Sequence, residues 1–285
     1  MAVPGDLRRL TDGMRRLLFV ASGLVALAAF QLFVLTDHTA SYFSWTIAPG
    51  MTAAFLGAGY LASVFLEYLA ARRAVWVEVR HTIPPVLSFT VLTEIATLLH
   101  LGKFHFGQEL VWAGLAAWVW LAIYTLVPIT MIALLPGQLR VRGADPPRTE
   151  PIPWVALVVL GAHAALALAV GVLLYVDPVR WSSIWPWELT PLTGRASAAW
   201  LLGIGVGLVA VSAERDLART RPGLVAYATL GAAQLVALAR YGSEVRWGQP
   251  QAWAYLAWAL TAGLLGLLGL VASNRGPSRA GVGRG

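Results

Sequence analysis

The sequence predicts an all-α integral membrane protein whose eight transmembrane helices form two parallel four-helix repeats, related by a pseudo-twofold axis along the membrane normal. Three observations predict it. Apolar residues (AVILMFWYC) make up 58% of the 285 positions and charged residues only 12%, against about a quarter charged in an ordinary soluble domain. The apolar residues gather in eight stretches close to the ~20 residues that cross a bilayer as a helix. Basic residues alternate between the segments joining these stretches, and a run from the first half recurs in the second.

The spans are expected at 17–36, 49–71, 84–102, 110–135, 154–176, 196–213, 224–241 and 252–272. None shows period-2 alternation, so the backbone satisfies its hydrogen bonds within helices rather than in a membrane barrel. Arg8, Arg9, Arg15 and Arg16 precede the first span, as in a signal peptide, but its apolar core is longer than the usual apolar region of one. It is read as retained. The chain then divides into an N-terminal segment 1–16, a first repeat 17–135, a linker 136–152, a second repeat 153–272 and a tail 273–285.

Of the 21 basic residues, 16 lie on the side that holds both termini and the linker; Lys103, Arg180, Arg195, Arg240 and Arg246 lie on the other. Lys and Arg in short loops favour the cytoplasm, so both termini are expected there, in a multi-pass protein of the cytoplasmic (inner) membrane. The net charge of +7 comes from scattered Arg, with Lys103 the one Lys, which suits topology and not a nucleic-acid partner. There is no Cys, which removes disulfides, thiolate metal sites and thiol chemistry.

The stretch HFGQELVWAGLA from His105 matches RWGQPQAWAYLA from Arg246 at offset 141, and SYFSWTIAP matches SIWPWELTP through Trp45/Trp187 and Pro49/Pro191 at offset 142. Each half holds an even number of spans, so the copies are parallel rather than inverted. Gly203 and Gly207, and the stripe Gly263, Gly266 and Gly269, are expected at close helix contacts.

Ionisable residues inside spans are costly and point to function. Glu94 lies near the middle of the third span on a stripe with Thr90, Thr93 and Thr97, and His100 follows toward the outer side. Aligning the halves through Gly102/Gly242 puts Glu94 on Gln234 and His100 on Arg240. The expected substrate or proton path is therefore Glu94, His100, Gln234, Arg240, Thr93 and Thr97, with any proton-linked role in the first half, since Gln does not titrate. The competing reading is a structural Glu94 held by the threonines or Gln234.

Asp37, His38, His105 and Glu109 form an expected outer polar cluster, but no local spacing supports a metal. Trp45, Trp181, Trp185, Trp187 and Trp247 mark aromatic outer loops, which suit a headgroup belt or short lids over the bundle. On the inner side Glu67, Glu214, Arg215 and Asp216 read as solvated turns, His81 as a loop residue and His163 as a packing residue. No phosphate loop, nucleophile elbow or dinucleotide fingerprint is present, which argues against a standalone enzyme. The leading expectation is a small transporter or channel-like protein with a polar site between its repeats. Its partners are then the lipid bilayer and a small-molecule or ion substrate, with a protein partner or a second copy also compatible. No cofactor is required; the first alternative is a redox-complex anchor that binds quinone among the aromatics or haem between His38 and His100. The second is a non-catalytic assembly or sensory protein.

Overall fold

A computed structural model describes residues 7–107 and 111–274. Among them eight helices are long and apolar enough to cross a membrane: α1 (Asp12–Ala29), α2 (Gly50–Ala71), α3 (Ile83–Leu99), α4 (Val111–Leu139), α5 (Trp154–Val176), α6 (Pro191–Glu214), α7 (Arg221–Tyr241) and α8 (Pro250–Asn274). They point to a multi-pass membrane protein. Two helices start earlier than hydropathy places them, α1 at Asp12 rather than 17 and α6 at Pro191 rather than 196. Both starts are capped: the Thr11 side chain accepts from Met14 N–H, and Thr190 and Thr193 form a reciprocal capping box with Pro191 in the first turn. Capping oxygens satisfy free N–H groups that hydropathy does not register.

The helices form an inner and an outer set. α2, α3, α6 and α7 are buried along half or more of their length, and α1, α4, α5 and α8 along about a third or less. Within the inner set α2 packs on α7, and α6 packs on α3. Outward, α1 packs on α2, α5 on α6, α8 on α7, and α4 more loosely on α3 and α1. The outer helices present Leu27, Leu115, Ile129, Val158 and Leu264 outward. An apolar exterior on helices whose backbone is internally satisfied is what lipid requires.

Small residues decide the closest contact. A Cβ on Gly231 of α7 would stand 2.2 Å from the Gly263 nitrogen of α8, and one on Gly266 would stand 2.4 Å from the Ala228 nitrogen. Gly266 of the expected stripe and Gly231 facing that stripe from α7 therefore let two backbones touch, while a Cβ on Gly263 would reach no neighbour nearer than 3.8 Å. Gly269 meets only the Leu224 side chain.

The ends of the bundle are tied by hydrogen bonds that occur twice. On the arginine-rich face Leu10 N–H donates to Ala74 C=O and Trp76 N–H to Arg8 C=O, both at 2.9 Å; Ile152 N–H donates to Arg215 C=O at 3.3 Å and Leu217 N–H to Glu150 C=O at 2.7 Å. On the tryptophan-rich face His105 N–H donates to Ser44 C=O and Arg246 N–H to Pro186 C=O, both at 2.9 Å. The His105 ring meets Phe43 C=O at 2.9 Å, while the Arg246 guanidinium donates to Trp185 C=O at 2.8 Å. Paired residues stand 141 or 142 positions apart throughout. One tie has no duplicate: the Glu244 carboxylate accepts Gly50 N–H and Met51 N–H at the start of α2, whereas α6 caps itself through Thr190.

Candidate functional site

The four inner helices line a partly open cavity of about 100 Å³ toward the arginine-rich face. Its walls are mostly apolar, and Gly203 and Gly207 of α6 let α3 approach closely, a Cβ on Gly203 standing 3.1 Å from the Phe89 Cβ. Ser63, His81 and Tyr227 bring the polar atoms. His81 sits in a single 3-10 turn, Arg80–Thr82, that delivers it to the start of α3. It is 3% exposed, and neither ring nitrogen has a hydrogen-bond partner. A buried ring with both nitrogens unsatisfied is uncommon, because such groups ordinarily find partners. The sequence reading of His81 as solvated is therefore corrected: its turn folds inward against α7.

Tyr227 leads outward from the cavity. Its hydroxyl meets His163 Nδ1 at 2.5 Å, and His163 Nε2 meets the Thr261 hydroxyl at 3.0 Å. Thr261 spends its own proton on Ala257 C=O at 2.7 Å, so His163 donates through Nε2 and accepts from Tyr227 at Nδ1. His163 is the satisfied packing histidine that the sequence suggests.

The arginine-rich end of the cavity is covered by a charge cluster that joins three connecting segments. Arg80 forks onto Glu214, Nε to Oε1 at 2.5 Å and Nη2 to Oε2 at 2.8 Å, and its Nη1 reaches Asp145 at 2.6 Å. Arg219 adds a second cation 3.6 Å from Glu214 and donates to Pro146 C=O. Asp216 accepts Thr149 N–H, Glu150 N–H and Arg219 N–H at 2.6, 2.9 and 3.0 Å. Glu67, Glu214 and Asp216 are 3%, 5% and 0% exposed. They are interior groups and not the solvated turns expected: the linker folds back over Glu214 and Asp216, and α1, α3 and α4 surround Glu67.

The expected path residues are not assembled together. The Glu94 carboxylate is half-buried and accepts from the Thr125 hydroxyl of α4 at 2.8 Å. Gln234 is fully buried, donates to Phe55 C=O of α2 at 3.2 Å and accepts from the Tyr255 hydroxyl of α8 at 2.6 Å. The reason is register. The turns Leu101–Lys103 and Gly242–Glu244 that follow α3 and α7 stand 141 positions apart, so Gln234 corresponds to the buried Thr93, not to Glu94. One residue of slip turns a helix face by about 100°. Thr97 accepts from Trp120 Nε1 at 3.0 Å, and the Thr93 hydroxyl has no partner.

His100 and Arg240 lie on separate contacts. His100 Nε2 accepts from Arg195 at 2.8 Å, while Arg240 is exposed and donates to Phe33 C=O. Burial, and then the charges of Arg195 and Lys103, hold His100 below its ordinary value of 6.5. The unfolded chain then binds this proton more readily, so the stability from the neutral contact is present above that value and lost as pH falls below it. His100→Gln keeps an acceptor that does not titrate. It is expected to flatten the fall in melting temperature on acidification; an unchanged fall would locate the acid sensitivity elsewhere.

The outer polar cluster is dispersed among the described residues. The exposed Asp37 accepts from the Tyr241 hydroxyl at 3.1 Å, His38 is exposed, and His105 is buried with Nδ1 on Phe43 C=O and Nε2 on the Thr46 hydroxyl at 3.1 Å. Glu109 lies outside the described residues. No group of three or more His, Asp or Glu side chains among the described residues is gathered for a metal.

The tryptophans divide by role. Trp45, Trp185 and Trp187 are 3%, 4% and 0% exposed, so the belt reading fails for these three and the loops fold into the bundle. Trp187 donates to the Thr52 hydroxyl at 2.9 Å. Trp45 packs on Trp120 and Phe104, and Trp185 on Phe55. Trp181 and Trp247 stay half-buried, Trp181 beneath the Arg180 guanidinium. The exposed rings are Trp112, Trp118, Trp154 and Trp253. The chain matches no known protein-family model, no curated protein and no solved structure.

Proposed function

We propose that the chain is a small transporter of the cytoplasmic membrane, with both termini in the cytoplasm, built from two parallel four-helix repeats that hold a substrate between them. Support for the repeats comes from the hydrogen bonds that recur at offsets 141 and 142, and from the cross-pairing of inner helices. α2 on α7 and α6 on α3 exchange under a twofold. The observation that carries the function is the cavity at this seam, with an unsatisfied His81 in its wall. Repeat interfaces are where transporters bind substrate and where rocking motions open and close access. The site differs from the one expected from sequence: His81, Ser63 and Tyr227 supply its polar atoms, not Glu94 and Gln234. Its chemistry suits a small, mainly apolar solute with one hydrogen-bonding group for the imidazole.

The test uses a thermal-shift screen of small solutes on the purified protein, repeated on Ala226→Leu and Ser63→Leu, which narrow the cavity from two of its helices. Solutes that stabilise the wild type and neither variant are expected, and these should enter proteoliposomes in a manner lost in His81→Ala. Stabilisation that is equal in all three proteins would remove the cavity as the site. Binding without entry would remove transport.

A further inference from the structure

Glu67 has no part in that site. It lies on α2, about one turn before the helix ends, buried among α1, α3 and α4 rather than among the inner four helices. Its Oε2 is buried without a partner. It faces a separate cavity of about 20 Å³, which is room for a single water. Thr90 of α3 and Tyr124 of α4 also border this space, whose walls are otherwise apolar. The Thr90 hydroxyl gives its proton to Val86 C=O at 2.9 Å and keeps an acceptor site free, and the Tyr124 hydroxyl is hydrogen-bonded to Tyr60.

The cationic groups nearby are committed elsewhere. α1 contributes Leu24 and Val25 to the cavity, and Arg15 on the same helix donates to Ala71 C=O. Arg72, beyond the end of α2, is bonded to the Tyr68 hydroxyl. α4 adds Tyr124 between apolar residues, and the acid of α3, Glu94, is bound to Thr125. Packing alone does not explain an acid here, since the positions 141 and 142 further on are Leu208 and Val209.

We propose that Glu67, buried without a partner beside Thr90 and the Tyr124–Tyr60 pair, is a proton-binding site. Hydronium delivers the proton to the carboxylate, leaving a neutral acid and a water molecule. The site does not depend on the reading of the central cavity, although Val86 and Phe89 line both spaces.

Infrared difference spectra of the purified full-length protein are expected to show a protonated carboxylic-acid band that moves in D2O. The band should vanish in Glu67→Gln, persist in Glu94→Gln and shift in Tyr124→Phe. In the wild type, a hydrophobic carbodiimide should label Glu67, less so as pH rises, which tests the site even if Glu67→Gln does not fold. A band that survives Glu67→Gln, or labelling of Glu94 with Glu67 untouched, would overturn the proposal. Loss of the wild-type band on adding Na⁺ at constant pH would also overturn it, in favour of a cation.

Discussion

Arg80→Met is expected to destabilise the protein by about 3 kcal/mol, and adding Glu214→Leu is expected to restore most of the loss. The single change removes the fork from a carboxylate whose side chain is 6% exposed, leaving Glu214 with only the longer contact to Arg219. Breaking one partner of a buried pair costs about 3–5 kcal/mol, whereas replacing both with apolar groups is often close to neutral. The low end applies because the Arg80 side chain is 33% exposed and water screens part of the interaction. A double-mutant cycle of unfolding in detergent measures this. A single-mutant loss below about 1 kcal/mol would show that the cluster behaves as a surface pair. A double mutant no more stable than Arg80→Met would show that the stranded Glu214 charge is not the cause.

Asp216→Ala is expected to cost as much or more, and to act on the linker. Asp216 has 0% exposure and satisfies three backbone N–H groups. Hydrogen bonds to a charged group contribute about 1.5–3 kcal/mol each, and the three act on one oxygen pair, so a total near 3–4 kcal/mol is the expected scale rather than their sum. Two of the donors, Thr149 and Glu150, belong to the linker, and trypsin should then cut at Arg148 well before it does in the wild type. Asp216→Asn should fall between the two, since an amide offers one oxygen where the carboxylate uses both. Equal trypsin resistance in Asp216→Ala and the wild type would show that the linker is held by other contacts, chiefly Arg148 on Glu214 C=O and Arg219 on Pro146 C=O.

What the sequence determined by itself is whatever adds up along the chain. Eight apolar stretches are long enough to be helices because hydropathy and length are local, and the start of α3 is legible because Pro84 is tolerated in a first helical turn. The offsets of 141 and 142 are equally a property of the text, and the duplicated ties at Leu10, Trp76, Ile152 and Leu217 fall on those offsets. Gly231 and Gly263 show the boundary: small residues in a span suggest contact, but only the fold says that these two meet each other.

Tertiary structure decided which polar groups are inside. Glu67, His81, Glu214 and Asp216 stand near arginines at the ends of apolar stretches, where a linear reading assigns them water; the folded linker and turns take it from His81, Glu214 and Asp216, and the neighbouring helices take it from Glu67. Glu94 and Thr93 differ by one position in sequence and by a quarter turn in space, enough to exchange the carboxylate for a hydroxyl on the buried face. Trp187 has the composition of a headgroup anchor, yet it becomes a core residue because its indole N–H finds Thr52 on a helix 135 positions away. Burial is a relation between segments that have no proximity along the chain, and it is set by their packing.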